Sequence, residues 1–371
     1  MKILQLISSA GFYGAESCLI ALSEQLREQG HDVIIATFAT SSPALHEVAT
    51  QLGFPTKVFQ GSHRFDLSLR KSLRRTVIEG HFDLVHTHGY KADFFAYSSL
   101  RGLVPLVSTC HGWPTPGFKM QAYAKADRWL LRSFDKVVAV SEDSAHLLRS
   151  AGVHPSNISL VRNGVKTARF DHLDASREGR LRIGVIGRIV REKGSELAFD
   201  AFLRVASEFP QAELVFAGEG PLRQTLQHRA AQLGIAERVV FLGFCADMPK
   251  LYSQLDVVVM PSFYEGMPMV LLESMAAGKA IVSTNVGEVP AVLKDGFTGL
   301  LVQPGDCEQL AGSLRQVLAD EEVRVRVGRE AKAFISATYD IVPVCNRYLD
   351  VYRSACRGLL TPSAMLSGEV Q

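Results

Sequence analysis

Two glutamates, Glu265 and Glu273, stand eight positions apart in the stretch YEGMPMVLLESMAAGKAIV, and every residue between them is apolar, glycine or proline. A carboxylate in an apolar helix loses hydration unless something replaces it. Pro268 suits the first turn of a helix, where its missing N–H is no loss. The helix then runs through MVLLESMAAG and stops at Gly278. Its start, with the amides of Gly266 and Met267, carries roughly half a positive charge and forms an anion site. Glu265 lies just before that start, and Glu273 lies roughly 8 Å further along the axis at 1.5 Å per residue.

A ligand with a phosphate at the helix start could give hydroxyls to Glu265 on one side and to Glu273 on the other. A nucleotide diphosphate-sugar has that shape. The plain alternative is that Glu265 complements the helix dipole while Glu273 is a satisfied core carboxylate. Either glutamate alone invites it; the pair in one segment does not.

Other loops carry matching chemistry. GRIVREKG supplies Arg188 and Lys193, two cations that would favour a diphosphate leaving group as its charge grows. GFYGAES places Gly14 before a helix beginning near Ala15, and glycine lets backbone amides approach a phosphate closely. His111, in STCHGW, could hydrogen-bond a sugar or position an acceptor, whereas His86 and His88 in VHTHGY are read as structural. Neither GFYGAES nor IGVIGR contains G-x-G-x-x-G, which counts against a nicotinamide or flavin enzyme.

These loops follow strands. The runs KILQLI, DVIIATF, FDLVHTH, LVSTC and KVVAVS, and later LRIGVIG, AELVFAG, RVVFLG, DVVVM and AIVST, alternate with helical stretches. Such alternation predicts parallel sheets covered by helices, and ligands of such sheets sit beyond the carboxyl ends of the strands. The expectation is an α/β protein of two doubly wound, Rossmann-like domains facing each other across a cleft. The first domain is placed at 1–168 and the second at 181–340. The polar stretch 166–180 reads as a linker and 358–371 as a mobile tail.

The 371 residues, 47% of them hydrophobic, suffice for two cores. A net charge of +2 without a basic domain gives no nucleic-acid signal. Six scattered cysteines, none in CxxC, fit a reduced cytoplasmic protein. No run is long enough for a transmembrane helix, and the start MKILQLISSAGFYGAES reads as a buried strand rather than a signal peptide. Two basic amphipathic stretches, 67–78 and 119–136, raise peripheral contact with an anionic membrane. The first sets Leu69, Leu73 and Val77 beside Arg70, Lys71, Arg74 and Arg75; the second sets Lys119, Lys125, Arg128 and Arg132 beside Trp129 and Phe134. The plain alternative is that the apolar stripes pack on the sheet.

Taken together, the start GxxGAE, HG after LVSTC, RNGV at 162–165, GR…KG at 187–194, AGEGP at 217–221 and E-x7-E within PSFYEGMPMVLLESMAAGKAIVSTNVGEVPAVL resemble family 4 retaining glycosyltransferases of GT-B fold. The likeness covers roughly residues 1–335. The family usually shows a Gly-Gly pair before the first helix, where this chain has Tyr13 and Gly14. The resemblance implies that Glu273 binds the donor ribose and Glu265 the hydroxyls of the transferred sugar. Arg188 and Lys193 would bind the diphosphate, beside Gly14, Pro268 and the amides of Gly266 and Met267. His111 would contact the sugar near the reacting centre. It also implies anomeric retention without an obligatory metal or other cofactor, a last helix at 341–357 returning to the first domain, and a glycan or lipid-linked acceptor met in the cytoplasm or at the inner membrane face. UDP- and GDP-sugars are both open as donors, with Phe244 to Pro249 the expected discriminating loop. A nucleotide-sugar epimerase or hydrolase, or a non-catalytic binder of the same fold, remains the alternative.

Overall fold

The β-branched runs form strands, and every strand pair is parallel. The computed structural model describes residues 1–8, 11–39, 43–61, 66–111, 118–173 and 179–359. The chain divides into two units. One comprises Met1–Gly164 and Ile341–Gln371, the other Val165–Asp340.

The first unit holds seven strands: β1 (Lys2–Ile7), β2 (Asp32–Phe38), β3 (Thr56–Phe59), β4 (Leu84–His88), β5 (Leu106–Cys110), β6 (Lys136–Ala139) and β7 (Ile158–Leu160). Their order is β3-β2-β1-β4-β5-β6-β7. KILQLI is thus a central strand. The order reverses between β1 and β4, which opens a ligand crevice beyond their carboxyl ends. Every residue of β4 and of β5 is buried, as a parallel strand covered on both faces requires.

One core lies under helix Gly14–Glu28 and the last helix, Ile341–Leu359, which contributes Val344, Tyr348 and Tyr352. The opposite core takes Leu69, Leu73 and Val77 from helix Ser68–Glu79, together with Phe134. The stripe of 67–78 is therefore core, not a membrane face, because the covering helix needs it to seal the sheet. Lys71, Arg74 and Arg75 are exposed, and Arg75 pairs with Glu79.

The second unit holds β8 (Leu181–Ile186), β9 (Ala212–Ala217), β10 (Val239–Gly243), β11 (Val257–Met260), β12 (Ala280–Thr284) and β13 (Leu300–Val302), in the order β10-β9-β8-β11-β12-β13. Its reversal falls between β8 and β11. The stretch read as a linker is partly built into this unit. Thr167–Phe170 form a turn of 3-10 helix, and Phe170 is buried edge-on against Tyr252, with ring centroids 5.6 Å apart. A single aromatic anchor outweighs the polarity of its neighbours. Residues 174–178 lie outside the described residues, as does the expected tail from 360 onward.

Candidate active site

In the second unit the predicted residues gather at the switch point. Arg188 follows β8 and is exposed. Lys193 ends a 3-10 turn, Arg191–Lys193. Its ammonium donates to the Glu265 carboxylate at 2.6 Å, and the Ser262 hydroxyl donates to the same oxygen at 2.7 Å. Glu265, in the loop after β11, is only 8% exposed. Removing a partner would leave that carboxylate short of a charge-assisted hydrogen bond, which costs about 1–3 kcal/mol. An ammonium carries three N–H groups, so one nitrogen can hold Glu265 and still meet a phosphate oxygen.

Two glycines set this loop packing. Gly194 has φ +67, and a Cβ there would lie 2.0 Å from the Pro261 carbonyl oxygen. Gly287 has φ +51, and a Cβ there would lie 1.8 Å from the Glu265 carbonyl oxygen. The Glu288 amide then donates to the Gly266 carbonyl at 3.2 Å. The backbone that presents Glu265 is thus clamped between two glycines on different loops.

The helix after this loop is Met269–Ala276, with Pro268 as its N-cap in extended conformation, φ −75 and ψ 125. Pro268 therefore precedes the first turn rather than occupying it, and the amides of Gly266 and Met267 sit ahead of the helix. The Leu271 amide is tied to the Pro268 carbonyl at 3.1 Å. Glu273 is on this helix and 9% exposed. The Tyr252 hydroxyl lies 3.4 Å from its Oε2. Burial pushes the Glu273 carboxyl up to about 7, while the Tyr252 hydroxyl and the Arg169 charge oppose the rise. So weakly compensated a carboxylate is half protonated near neutral pH and gains from hydroxyl donors that arrive with a ligand.

Gly14 and His111 belong to the first unit. Gly14 is the first residue of its helix, whose Tyr13 cap amide donates to Glu16 Oε2 at 3.0 Å. His111 follows β5. It joins Cys18, Leu22, His88, Asn163 and Tyr348 around a cavity of about 10 Å³. Burial lowers the His111 imidazole to about 4, so the ring is neutral at physiological pH. Its Nε2 stands 3.2 Å from His88 Nδ1. Gly112 and Trp113, which complete the HGW motif, lie outside the described residues.

Sequence reasoning left out Gly287 and Tyr252 and read His88 as structural. The signal for His88 was present, since alternate positions of one strand point to one face and both histidines of VHTH lie toward the strand's carboxyl end. The signal for Gly287 lay in NVGEVP, a glycine between two strand-and-helix segments.

The chain matches the description "Glycosyltransferase Family 4" over residues 12–169 and "Glycosyl transferases group 1" over 170–334. It is 27% identical to a glycogen synthase of Mycobacterium tuberculosis, covering 93% of this chain and 92% of that one. It is 29% identical to the alpha-D-kanosaminyltransferase of Streptomyces kanamyceticus, covering 79% and 82%. Its fold is similar to that of Anabaena HepE in complex with UDP-glucose, with a TM-score of 0.82, 24% identity and coverage of 95% and 100%. Two doubly wound units, each with its polar residues beyond the carboxyl ends of its strands, are the GT-B architecture, and the chain belongs to glycosyltransferase family 4.

Proposed function

We propose that the protein moves a sugar, with anomeric retention and without an obligatory metal, from a UDP- or GDP-sugar to a glycan or lipid-linked acceptor in surface polysaccharide or glycolipid synthesis. The observation that carries this reading is the arrangement at the β8/β11 switch point. A buried carboxylate, Glu265, is held by Lys193, and a second, Glu273, lies one short helix away with few partners of its own. Glu273 takes the ribose hydroxyls and Glu265 the sugar hydroxyls. Arg188 and Lys193 neutralise the departing diphosphate, the role a divalent ion would otherwise fill. Gly14, Gly266, Met267 and Pro268 line the diphosphate path, and His111 meets the transferred sugar. A relative supports a nucleotide-sugar donor: the UDP-Gal:alpha-D-GlcNAc-diphosphoundecaprenol alpha-1,3-galactosyltransferase of Escherichia coli is 23% identical over 77% of this chain.

A thermal-shift screen of UDP-, GDP- and ADP-sugars identifies the donor, since a ligand that prefers the folded state raises the melting point. Radiolabelled sugar appearing in an extracted lipid or glycan then identifies transfer. Sugar released free, or altered but still nucleotide-linked, would replace transfer by hydrolysis or epimerisation.

Contact with an anionic membrane is part of the proposal only as an electrostatic term. No helix among the described residues is long and apolar enough to cross a membrane, and the Leu69, Leu73 and Val77 stripe is already buried. What faces outward is basic: Lys71, Arg74 and Arg75, with Lys125 and the 59%-exposed Trp129 on helix Phe118–Leu131. Each basic residue near such a surface contributes about 1 kcal/mol. Pelleting with anionic vesicles at low salt, lost at high salt, is the expected result. No pelleting at low salt removes the membrane from the proposal.

A further inference from the structure

The buried polar groups behind His111 form one continuous chain across the first unit. The Tyr352 hydroxyl is 2.8 Å from His86 Nδ1, and the Gln5 amide nitrogen reaches that hydroxyl at 3.5 Å. The Gln5 carbonyl oxygen is 3.0 Å from His88 Nε2, and His88 Nδ1 is 3.2 Å from His111 Nε2. On the other side, His86 Nε2 is 2.7 Å from the Thr109 hydroxyl, which lies 3.3 Å from the Tyr348 hydroxyl. Gln5 comes from β1, His86 and His88 from β4, Thr109 from β5, and both tyrosines from the last helix. Gln5, His86 and Tyr352 are fully buried, and His88 is 3% exposed.

Hydrogen-bond polarity propagates along such a chain. An amide oxygen only accepts, so His88 Nε2 must bear the proton. A neutral imidazole then has a bare Nδ1, which accepts from His111 Nε2–H. The three rings are neutral. Burial holds His86 at about 3 and His111 at about 4, and burial together with its two histidine neighbours holds His88 well below its ordinary range. The Tyr352 hydroxyl gives its proton to His86 Nδ1 and accepts from the Gln5 amide, so every member agrees with the Gln5 orientation. Turning that amide over would reverse all of them at once.

We propose that Gln5 and His88 are positioning residues that fix the His111 proton on Nε2 and leave Nδ1 as a hydrogen-bond acceptor for a hydroxyl of the transferred sugar. His111 Nδ1 has no hydrogen-bond partner among the described residues. The proposal rests on the glycosyl-transfer reading for the identity of that hydroxyl, but not for the proton position. A sugar hydroxyl donates to an unprotonated nitrogen, whereas the opposite tautomer would offer it an N–H instead. An otherwise neutral site then discriminates by which partner can give a proton.

The test is nitrogen NMR of the full chain with 15N-labelled histidine, which reads the protonated ring nitrogen directly. His111 is assigned by the signal missing in His111→Gln. The parent is expected to show His111 protonated at Nε2 and bare at Nδ1. Gln5→Leu should mix the tautomers of both His88 and His111 and lower kcat about tenfold, the scale of one misdirected hydrogen bond, with donor KM little changed. A parent His111 protonated at Nδ1, a charged His111 at pH 7, or an unchanged tautomer in Gln5→Leu overturns the proposal. Should Gln5→Leu not fold, the parent spectrum alone decides. If no nucleotide-sugar is turned over, the transfer reading fails while the spectrum still reports whether the chain fixes the proton.

Discussion

In the second unit the polar groups at the switch point carry charge: Arg188, Lys193 and Glu265 in loops, and Glu273 on a short helix. In the first unit the groups linked to His111 are imidazoles, hydroxyls and an amide, neutral and tied to the sheet, while Glu16, Lys91 and Asp93 are buried in the first turns of the helices that follow β1 and β4. Charged groups on loops suit a ligand that is itself an anion and whose charge rises during reaction. Neutral groups anchored in a core suit the recognition of hydroxyls, where the direction of each hydrogen bond matters more than its electrostatic strength. The same doubly wound scaffold thus supports two kinds of recognition, and the difference lies in which residues follow the strands.

The comparison breaks most visibly at the cations. Lys193→Ala and Arg188→Ala are expected to lower kcat about a hundredfold, the scale for removing one preorganised donor to a developing anion. Donor affinity should fall less. Equal loss of affinity with unchanged kcat, measured by initial rates beside calorimetry, would make them plain anchors and the charged half a binding device only.

Glu273→Ala comes next. Hydrogen bonds to a charged group are worth about 1.5–3 kcal/mol, so donor affinity should drop about ten- to a hundredfold. Calorimetric binding identical to that of the parent would remove the ribose role.

The smallest effects sharpen the comparison through pH. Glu273 ionises at about 7 in the fold against 4.5 ordinarily. Its contribution to stability is therefore fully present below about 4.5 and is lost as pH rises through about 7. The histidines run the other way. With folded values of about 3 and about 4 against 6.5, they favour the fold above 6.5 and lose that contribution as pH falls. Hydrogen exchange should show β11 and β12 loosening as pH rises from 5 to 7 and β4 and β5 loosening as it falls, each group contributing at most about 1.4 kcal/mol per pH unit. Glu273→Gln should flatten only the first slope. Donor affinity should likewise fall roughly tenfold or less from pH 7 to 6, because the hydroxyls need the ionised carboxylate. Parallel slopes in the two units would refute the contrast.

Much of this was legible before the structure. Ten strands were readable because each offers a short, mostly apolar run rich in Val, Ile, Leu or Phe. The three that were not, β3, β7 and β13, have only four, three and three residues and lie at sheet edges, where little periodicity accumulates. Glu265, Glu273, Lys193 and Arg188 stood out because charge beside apolar sequence needs an explanation. His88 did not, because a histidine inside a strand reads as structural until the register sets it against Thr109, two residues before His111. The basic stripe left two readings open, since an amphipathic pattern says that one face is covered, not by what; the structure packs it on the sheet. Phe170 shows the converse, one anchor hidden in a polar stretch.

The return of helix Ile341–Leu359 to the first unit has a consequence for how the molecule comes into being. Tyr348 and Tyr352, whose hydroxyls complete the buried chain behind His111, are synthesised after the whole second unit. On the ribosome the second unit can therefore finish folding while the first still waits with an open core, reversing the usual order of emergence. A nascent chain stalled at Asp340 would expose Leu19, Leu22 and Leu26, which the last helix helps to bury, and would be a substrate for chaperones rather than a smaller working protein.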